Sequence, residues 1–219
     1  MNEKIRCVLF DLDGTVADTA ADLAAPVQAM RLERGLPPMA FEELRPFASM
    51  GARGLIGKAL GIPQEDPAFP ALRDEFLARY EADICVQTRL FPGIEEVLFS
   101  LESRGLIWGI VSNKIERYVS LVCKALKIDE RASCLVGGDS TPTPKPHPAP
   151  LLLGAKLSQT APEHCIYVGD DLRDIEAGKS AGMRTVAAAY GYNGTSQPTS
   201  QWGADFVIMH AQQVLTCLD

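Results

Sequence analysis

Two aspartates, Asp11 and Asp13, stand directly after the apolar run Ile5 to Leu9 in the stretch Phe10-Asp11-Leu12-Asp13-Gly14-Thr15. A short apolar run that stops at an acid reads as a buried strand ending at an open sheet edge. In an open α/β sheet that carboxyl edge is where ligands bind. Strand side chains alternate, so both carboxylates leave on the same side unless Gly14 has already turned the chain. Like charges that close resist joint ionisation without a cation or a shared proton. The pair therefore asks for a metal, an acid/base role, or both. A plain turn followed by a helix cap uses the same residue types. What separates these readings is a set of three further polar stations, each after a predicted strand.

The first of the three is Ser112-Asn113-Lys114, after the strand-like run 106–111. The next is Lys145, within Thr141-Pro142-Thr143-Pro144-Lys145-Pro146-His147-Pro148-Ala149-Pro150, where proline takes every second position. Proline fixes φ and biases the residue before it to extended geometry, so the loop is stiff. Its place between a strand and a helix makes it a rigid loop presenting Lys145, with His147 solvated. The last is Gly169-Asp170-Asp171-Leu172-Arg173-Asp174, running from the strand 165–168 into a helix that ends near Gly182. Asp170 has the same address as Asp11. Asp171 and Asp174 also fit a helix cap with favourable dipole charges.

The elements that must position these groups follow from pattern. Helices are predicted over 19–34, 41–47, 55–60 and 68–82, with no strand until after Leu90, which reads as an inserted helical cap. From Phe91-Pro92-Gly93 the chain alternates: helix 94–103, strand 106–111, helix 115–126, strand 133–136, helix 151–157. Strands at 185–189 and 205–208 and a helix from near His210 complete it. The expected domains are a core of 1–15 and 88–219 and a cap of 16–87. Within the cap, Ser49 to Ala59 resembles a P-loop only superficially. Gly51 to Gly57 is one residue too long, Ala59 stands where Ser or Thr should be, and no strand precedes it. Arg53 there either reaches an anionic substrate or is a surface residue at a helix start.

With 219 residues and 47% apolar content the chain has room for one full core or a core plus a small insertion. Its net charge of -7 argues against nucleic acid or an acidic membrane as partner. No secretory pattern or membrane span is evident, which leaves the cytoplasm as the expected compartment. The six cysteines are scattered without metal-ligand spacing and read as reduced core thiols.

Taken together, Asp11-Leu12-Asp13-Gly14-Thr15, Ser112 with Asn113, Lys145 with Pro146, and Gly169-Asp170 with Asp174 resemble the four motifs of the haloacid dehalogenase superfamily. The inserted helices are similar to the cap of its phosphoglycolate phosphatase branch. Further residues resemble the branch acting on N-acetylmuramic acid 6-phosphate: Gly51-Ala52-Arg53, Leu72-Arg73, Trp108-Gly109, Asn113-Lys114, Tyr190-Gly191-Tyr192 and Trp202-Gly203-Ala204-Asp205. Pro144 before Lys145 departs from the pattern and keeps the lysine.

The resemblance implies an α/β fold, a Rossmann-like parallel sheet with an inserted all-helical cap. It implies a phosphatase that needs Mg2+ and acts on a small carboxylate-bearing phosphomonoester, phosphoglycolate or N-acetylmuramic acid 6-phosphate. Asp11 would attack phosphorus and form an aspartyl-phosphate, and Asp13 would serve as acid and base. Ser112, Asn113 and Lys145 would hold the phosphate. Asp11, the backbone carbonyl of Asp13, and Asp170 would ligate the metal, with Asp174 and Asp171 behind them, and Arg53 would meet the substrate from the cap. A sugar phosphomutase uses the same groups, and a phospho-aspartate receiver switch offers a similar acid, hydroxyl and lysine. A phosphonate-cleaving enzyme would need a reactive cap lysine, for which Lys58 is the candidate.

Overall fold

The computed structural model describes residues 4–194 and 197–218. Its first half runs β1 (Cys7–Phe10), β2 (Ala17–Asp18), α1 (Ala20–Glu33), α2 (Phe41–Leu44), α3 (Gly51–Leu60), α4 (Phe69–Ala82) and β3 (Arg89–Leu90). The second half alternates: α5 (Ile94–Ser103), β4 (Ile107–Val111), α6 (Glu116–Ala125), β5 (Leu135–Val136), α7 (Ala149–Leu157), β6 (Cys165–Gly169), α8 (Leu172–Ser180), β7 (Arg184–Ala188) and β8 (Phe206–Ile208).

All four residues of β1 are fully buried, because the strand lies inside a sheet covered on both faces. Val8 and Phe10 join the apolar cluster formed with α5, α6 and the helices α1, α3 and α4. Cys7 and Leu9 point the other way, toward Leu151 and Ala155 of α7 and Ala177 of α8. Burying each large apolar side chain of such a strand contributes about 2 kcal/mol. Two-sided cover is why the strand reads as a continuous apolar run with no polar alternation. Both neighbours are parallel to it, with Cys7 in register with Ile107 of β4 and with Cys165 of β6. The full order is β5-β4-β1-β6-β7-β8, parallel throughout. Parallel order brings the carboxyl ends of β1, β4 and β6 to one edge, where three of the four polar stations emerge.

Helices α1 to α4 leave and return through a short antiparallel ribbon, Ala17 opposite Leu90 and Asp18 opposite Arg89. Two residues per strand carry no periodicity, so the ribbon is not expected from the sequence. The helix expected over 41–47 ends at Leu44 and continues as a 3-10 turn, Arg45–Met50, because Pro46 has no N–H for the α-helical ladder. The helix expected from Leu55 begins at Gly51, so Arg53 stands in its first turn and no glycine loop exists there. The last predicted helix is a short 3-10 segment, Ala211–Thr216, too brief to nucleate an α-helix unaided. Five of the six cysteines are buried. Among the described residues no helix is long and apolar enough to cross a membrane.

One buried acid ties the inserted helices to the returning chain. The Asp22 carboxylate, on α1, accepts hydrogen bonds from Gln87 N at 3.0 Å, Thr88 N at 2.8 Å and Thr88 Oγ1 at 2.7 Å. Asp22→Ala strands these donors in a buried site, so unfolding in denaturant should show a loss of about 2 kcal/mol. A loss below about 0.5 kcal/mol would show the segment to be held by packing alone.

Candidate active site

Asp170 follows β6 and is completely buried. Thr15 Oγ1 donates to its Oδ1 at 2.9 Å and Tyr192 N to its Oδ2 at 2.8 Å. Two glycines let the chain close around it. Gly14, at φ +89°, takes the turn after β1 so near that a Cβ there would sit 2.1 Å from Asp170 Oδ2. On the far side, a Cβ on Gly191 would sit 2.3 Å from Asp170 Cβ. Burial first, then the charges of Asp11 and Asp174, push the Asp170 carboxyl well above the usual range.

The predicted rigid loop does deliver Lys145 to this edge, almost fully buried. Its Nζ lies 3.1 Å from Asp11 Oδ1 and 2.7 Å from Asp174 Oδ1, and it donates to Tyr167 OH at 2.8 Å and to Val111 O at 3.1 Å. Burial alone would lower the pKa of this ammonium. Asp11 and Asp174 outweigh that and raise it above its ordinary value. Asn113, expected at the phosphate, lines the cavity beside Ser112 and also clamps this loop. Its Nδ2 donates to Lys145 O and its Oδ1 accepts from Lys145 N, both at 2.9 Å. The side chain is engaged on the lysine's backbone, which positions the cation.

Asp11, Asp170 and Asp174 bring carboxylate oxygens to within 4.8 Å of one another. Three carboxylates against one ammonium leave uncompensated negative charge in a buried space, which burial opposes. A hard divalent cation fits this all-oxygen donor set and charge. Asp174 has Oδ1 on Lys145 and Oδ2 accepting from Asp171 N at 3.0 Å, whereas Asp11 Oδ2 has no hydrogen-bond partner among the described residues. By that measure Asp11 has the open oxygen, while Asp170, held by Thr15 and Tyr192, and Asp174, held by Lys145 and Asp171, each have both oxygens engaged. Asp171 caps α8 and holds Arg173, Oδ1 to Nε at 2.8 Å, and its carboxylate makes no hydrogen bond to Asp11, Asp13 or Asp170. It supports the site through the helix cap and through its backbone N–H on Asp174. Although burial raises the Asp171 carboxyl, the Arg173 guanidinium beside it holds it below the usual range.

Asp13 occupies a different environment. Lys114 Nζ reaches its Oδ1 at 3.1 Å and Oδ2 at 3.0 Å, and Thr19 Oγ1 donates to Oδ1 at 2.5 Å. Lys114 is buried beneath the ring of Tyr80, 4.7 Å from its centroid. Burial works against the ammonium, and Asp13 outweighs it, raising its pKa. Nothing in the sequence assigns a role to Lys114, Thr19 or Tyr167. Lys114 is findable as the next residue after Ser112-Asn113. Thr19 and Tyr167 join the site only through the fold.

A cavity of 620 Å³ opens onto Asp11, Asp13, Ser112 and Lys145, with Arg53, Phe76 and Tyr80 from the inserted helices on its other side. Arg53 is exposed and has no ion pair among the described residues. Lys58 pairs with Glu43 at 3.2 Å and does not line the cavity, which removes the basis of the phosphonate reading. Arg173, in the cavity wall, also donates to Ser49 O at 2.9 Å, linking α8 to the approach to α3.

The same carboxylates give a sign to the effect of pH. Burial raises the Asp174 carboxyl to about 6, with Asp11 adding to it and Lys145 opposing. A carboxyl raised on folding contributes stability below its unfolded value, and that contribution is lost as pH rises through about 6. A bound cation restores it, because binding displaces the protons. The rise in Tm caused by excess magnesium should therefore be several degrees near neutral pH and shrink toward about pH 5. A shift independent of pH would mean that the cation binds elsewhere.

Residues 8–188 match the haloacid dehalogenase-like hydrolase family. The chain is 41% identical over 216 residues to the N-acetylmuramic acid 6-phosphate phosphatase of Pseudomonas aeruginosa, covering 99% of this chain and 96% of that protein. It is 45% identical over 210 residues to a phosphoglycolate phosphatase of Xanthomonas campestris pv. campestris, covering 95% and 94%. The crystal structure of a predicted phosphoglycolate phosphatase from Haemophilus somnus superposes with a TM-score of 0.87 at 28% identity over 99% of both chains. These matches set aside the receiver switch. With its parallel sheet, its acids at the carboxyl edge and a match across most of its length, the chain belongs to the haloacid dehalogenase-like hydrolases.

Proposed function

We propose that the protein is a magnesium-dependent phosphomonoester hydrolase that works through an aspartyl-phosphate on Asp11. The observation that carries this reading is the unpartnered Asp11 Oδ2, at a cavity whose floor also holds Ser112, Lys145 and Asp13. Asp11, Asp170 and the backbone carbonyl of Asp13 are the proposed protein ligands of Mg2+. When bound, the ion neutralises negative charge on the carboxylates and the substrate phosphate.

In the first step an Asp11 oxygen bonds to phosphorus while the bond to the leaving oxygen breaks. The departing electron pair takes the proton of the Asp13 carboxyl. In the second, water gives a proton back to Asp13 and its oxygen attacks phosphorus. The Asp11–phosphorus bond breaks, returning a carboxylate and inorganic phosphate. The Ser112 hydroxyl and the Lys145 ammonium stabilise the phosphoryl oxygens in both steps.

Helices α1 to α4, residues 16–87 in the proposed division, act as the cap over a core of 1–15 and 88–219. Arg53 from this cap is the proposed clamp for a substrate carboxylate. N-acetylmuramic acid 6-phosphate is the favoured substrate. A cavity of 620 Å³ with Phe76, Leu77, Tyr80 and Tyr118 in its wall offers more apolar surface than a two-carbon acid can cover. The buried Tyr80 hydroxyl also has no hydrogen-bond partner among the described residues. Burial pushes that phenol up to about 12, so it stays a donor for a sugar oxygen. Phosphoglycolate is the second reading, supported by the name of the Xanthomonas relative and by the same Arg53.

The test is phosphate release with excess magnesium from both compounds, with Asp11→Asn as the blank. Asp11→Asn should lose turnover altogether, and a variant that still turns over would rule out the covalent scheme. Arg53→Ala should raise KM about tenfold for the better substrate with kcat little changed. An unchanged KM would remove Arg53 from the substrate site. Higher kcat/KM for phosphoglycolate would make it the substrate.

A further inference from the structure

Helix α1 begins without help from its own first residues. Thr19, its N-cap residue, makes no side-chain cap bond. Such a residue ordinarily accepts from an N–H one turn into its own helix. Here the phenolic oxygen of Tyr192, far along the chain, accepts from Thr19 N at 2.7 Å and Ala20 N at 2.9 Å. The same hydroxyl donates to Asp18 Oδ1 at 3.0 Å. That hydroxyl also lies 3.4 Å from Thr19 Oγ1, and it holds the backbone from which the Thr19 hydroxyl donates to Asp13. The ring is fixed by Arg45, whose guanidinium lies 4.7 Å from its centroid and pairs with Asp18 at 3.0 Å. The backbone N of Tyr192 holds Asp170, so its place in the loop is set independently of its hydroxyl.

We infer that Tyr192 is a positioning residue for proton transfer by Asp13: by capping α1 from outside the helix, its hydroxyl keeps Thr19 on Asp13. Without it, the Thr19 and Ala20 N–H groups lose their acceptor, and the Thr19 hydroxyl loses the oxygen 3.4 Å away. The start of α1 then loses its anchor, and the Thr19 hydroxyl that aims Asp13 shifts with it. The inference rests on the reading of Asp13 as the acid that protonates the leaving oxygen. In that step the phosphorus–oxygen bond breaks, its electron pair goes to the leaving oxygen, and the Asp13 proton follows. An alkoxide needs that proton in the transition state, while a nitrophenolate leaves without it.

The experiment compares kcat/KM for an alkyl phosphate, the better substrate above, with that for p-nitrophenyl phosphate in Tyr192→Phe, Thr19→Val, the double variant and Asp13→Asn. General acid catalysis contributes roughly a hundredfold or more, and misaiming the acid forfeits part of it. Tyr192→Phe should lower the alkyl-to-aryl ratio of kcat/KM about tenfold. Thr19→Val should do the same, and the double variant should be no worse than either alone. Thr19→Ser should recover the ratio lost in Thr19→Val. Equal loss on both substrates in Tyr192→Phe, an unchanged ratio, or additive losses in the double variant would overturn the inference. If Tyr192→Phe fails to fold, the comparison of Thr19→Val with Thr19→Ser still decides whether that hydroxyl aims Asp13. An unchanged ratio in Asp13→Asn would instead overturn the role of Asp13 itself.

Discussion

The buried ammonium of Lys145 is the interaction on which the site depends. It touches Asp11, Asp174, the Tyr167 hydroxyl and the Val111 carbonyl, and so joins the ends of β1 and β4 to helix α8. Breaking a buried ion pair by removing one partner costs about 3 to 5 kcal/mol, because the partner left behind is a desolvated charge. With two carboxylates relying on it, the lysine cannot be left to a flexible loop. The alternating prolines and the two-bond Asn113 clamp immobilise its backbone before the side chain pays the entropy of a fixed rotamer.

Around that cation the two aspartates of the first motif receive opposite surroundings. Asp11 sits against Lys145 and accepts from Leu12 N at 2.7 Å, leaving one oxygen open to the cavity. Asp13, two residues on, is turned toward Lys114 and Thr19. Separate environments for neighbouring carboxylates are how one site assigns different roles to chemically identical groups. Gly14 makes the separation possible, because only a residue without Cβ turns that sharply against Asp170.

The stations on the sheet edge are legible in the sequence because each follows a strand buried on both faces, and such strands leave long apolar runs that stop at the edge. Lys145 is legible because alternating proline is a strong local constraint. Asn113 stands at the edge where its spacing puts it, and only the fold reveals the Lys145 backbone groups that it also holds. Asp171 caps the start of α8, as its place before a predicted helix suggests. The link between Thr19 and Tyr192 cannot be read from the sequence. Their contact spans most of the chain, and neither residue departs from what an ordinary helix start or loop would contain. The β2–β3 ribbon escapes for a simpler reason, since two residues are too few to show alternation.

The central place of β1 also bears on how the chain reaches this state. It is made long before its partners: the residues facing Cys7 are Ile107 and Cys165. At a synthesis rate of roughly 5–20 residues per second, about 100 residues must follow before β4 exists and about 160 before β6, a wait of several seconds or more. Through that interval Cys-Val-Leu-Phe is an apolar segment with both edges unpaired. Helices α1 to α4 are made within it, and they share an apolar cluster with Val8 and Phe10. Helices α1 to α4 thus offer this strand apolar cover before its sheet partners exist, so the order of translation favours helices that collapse onto it early.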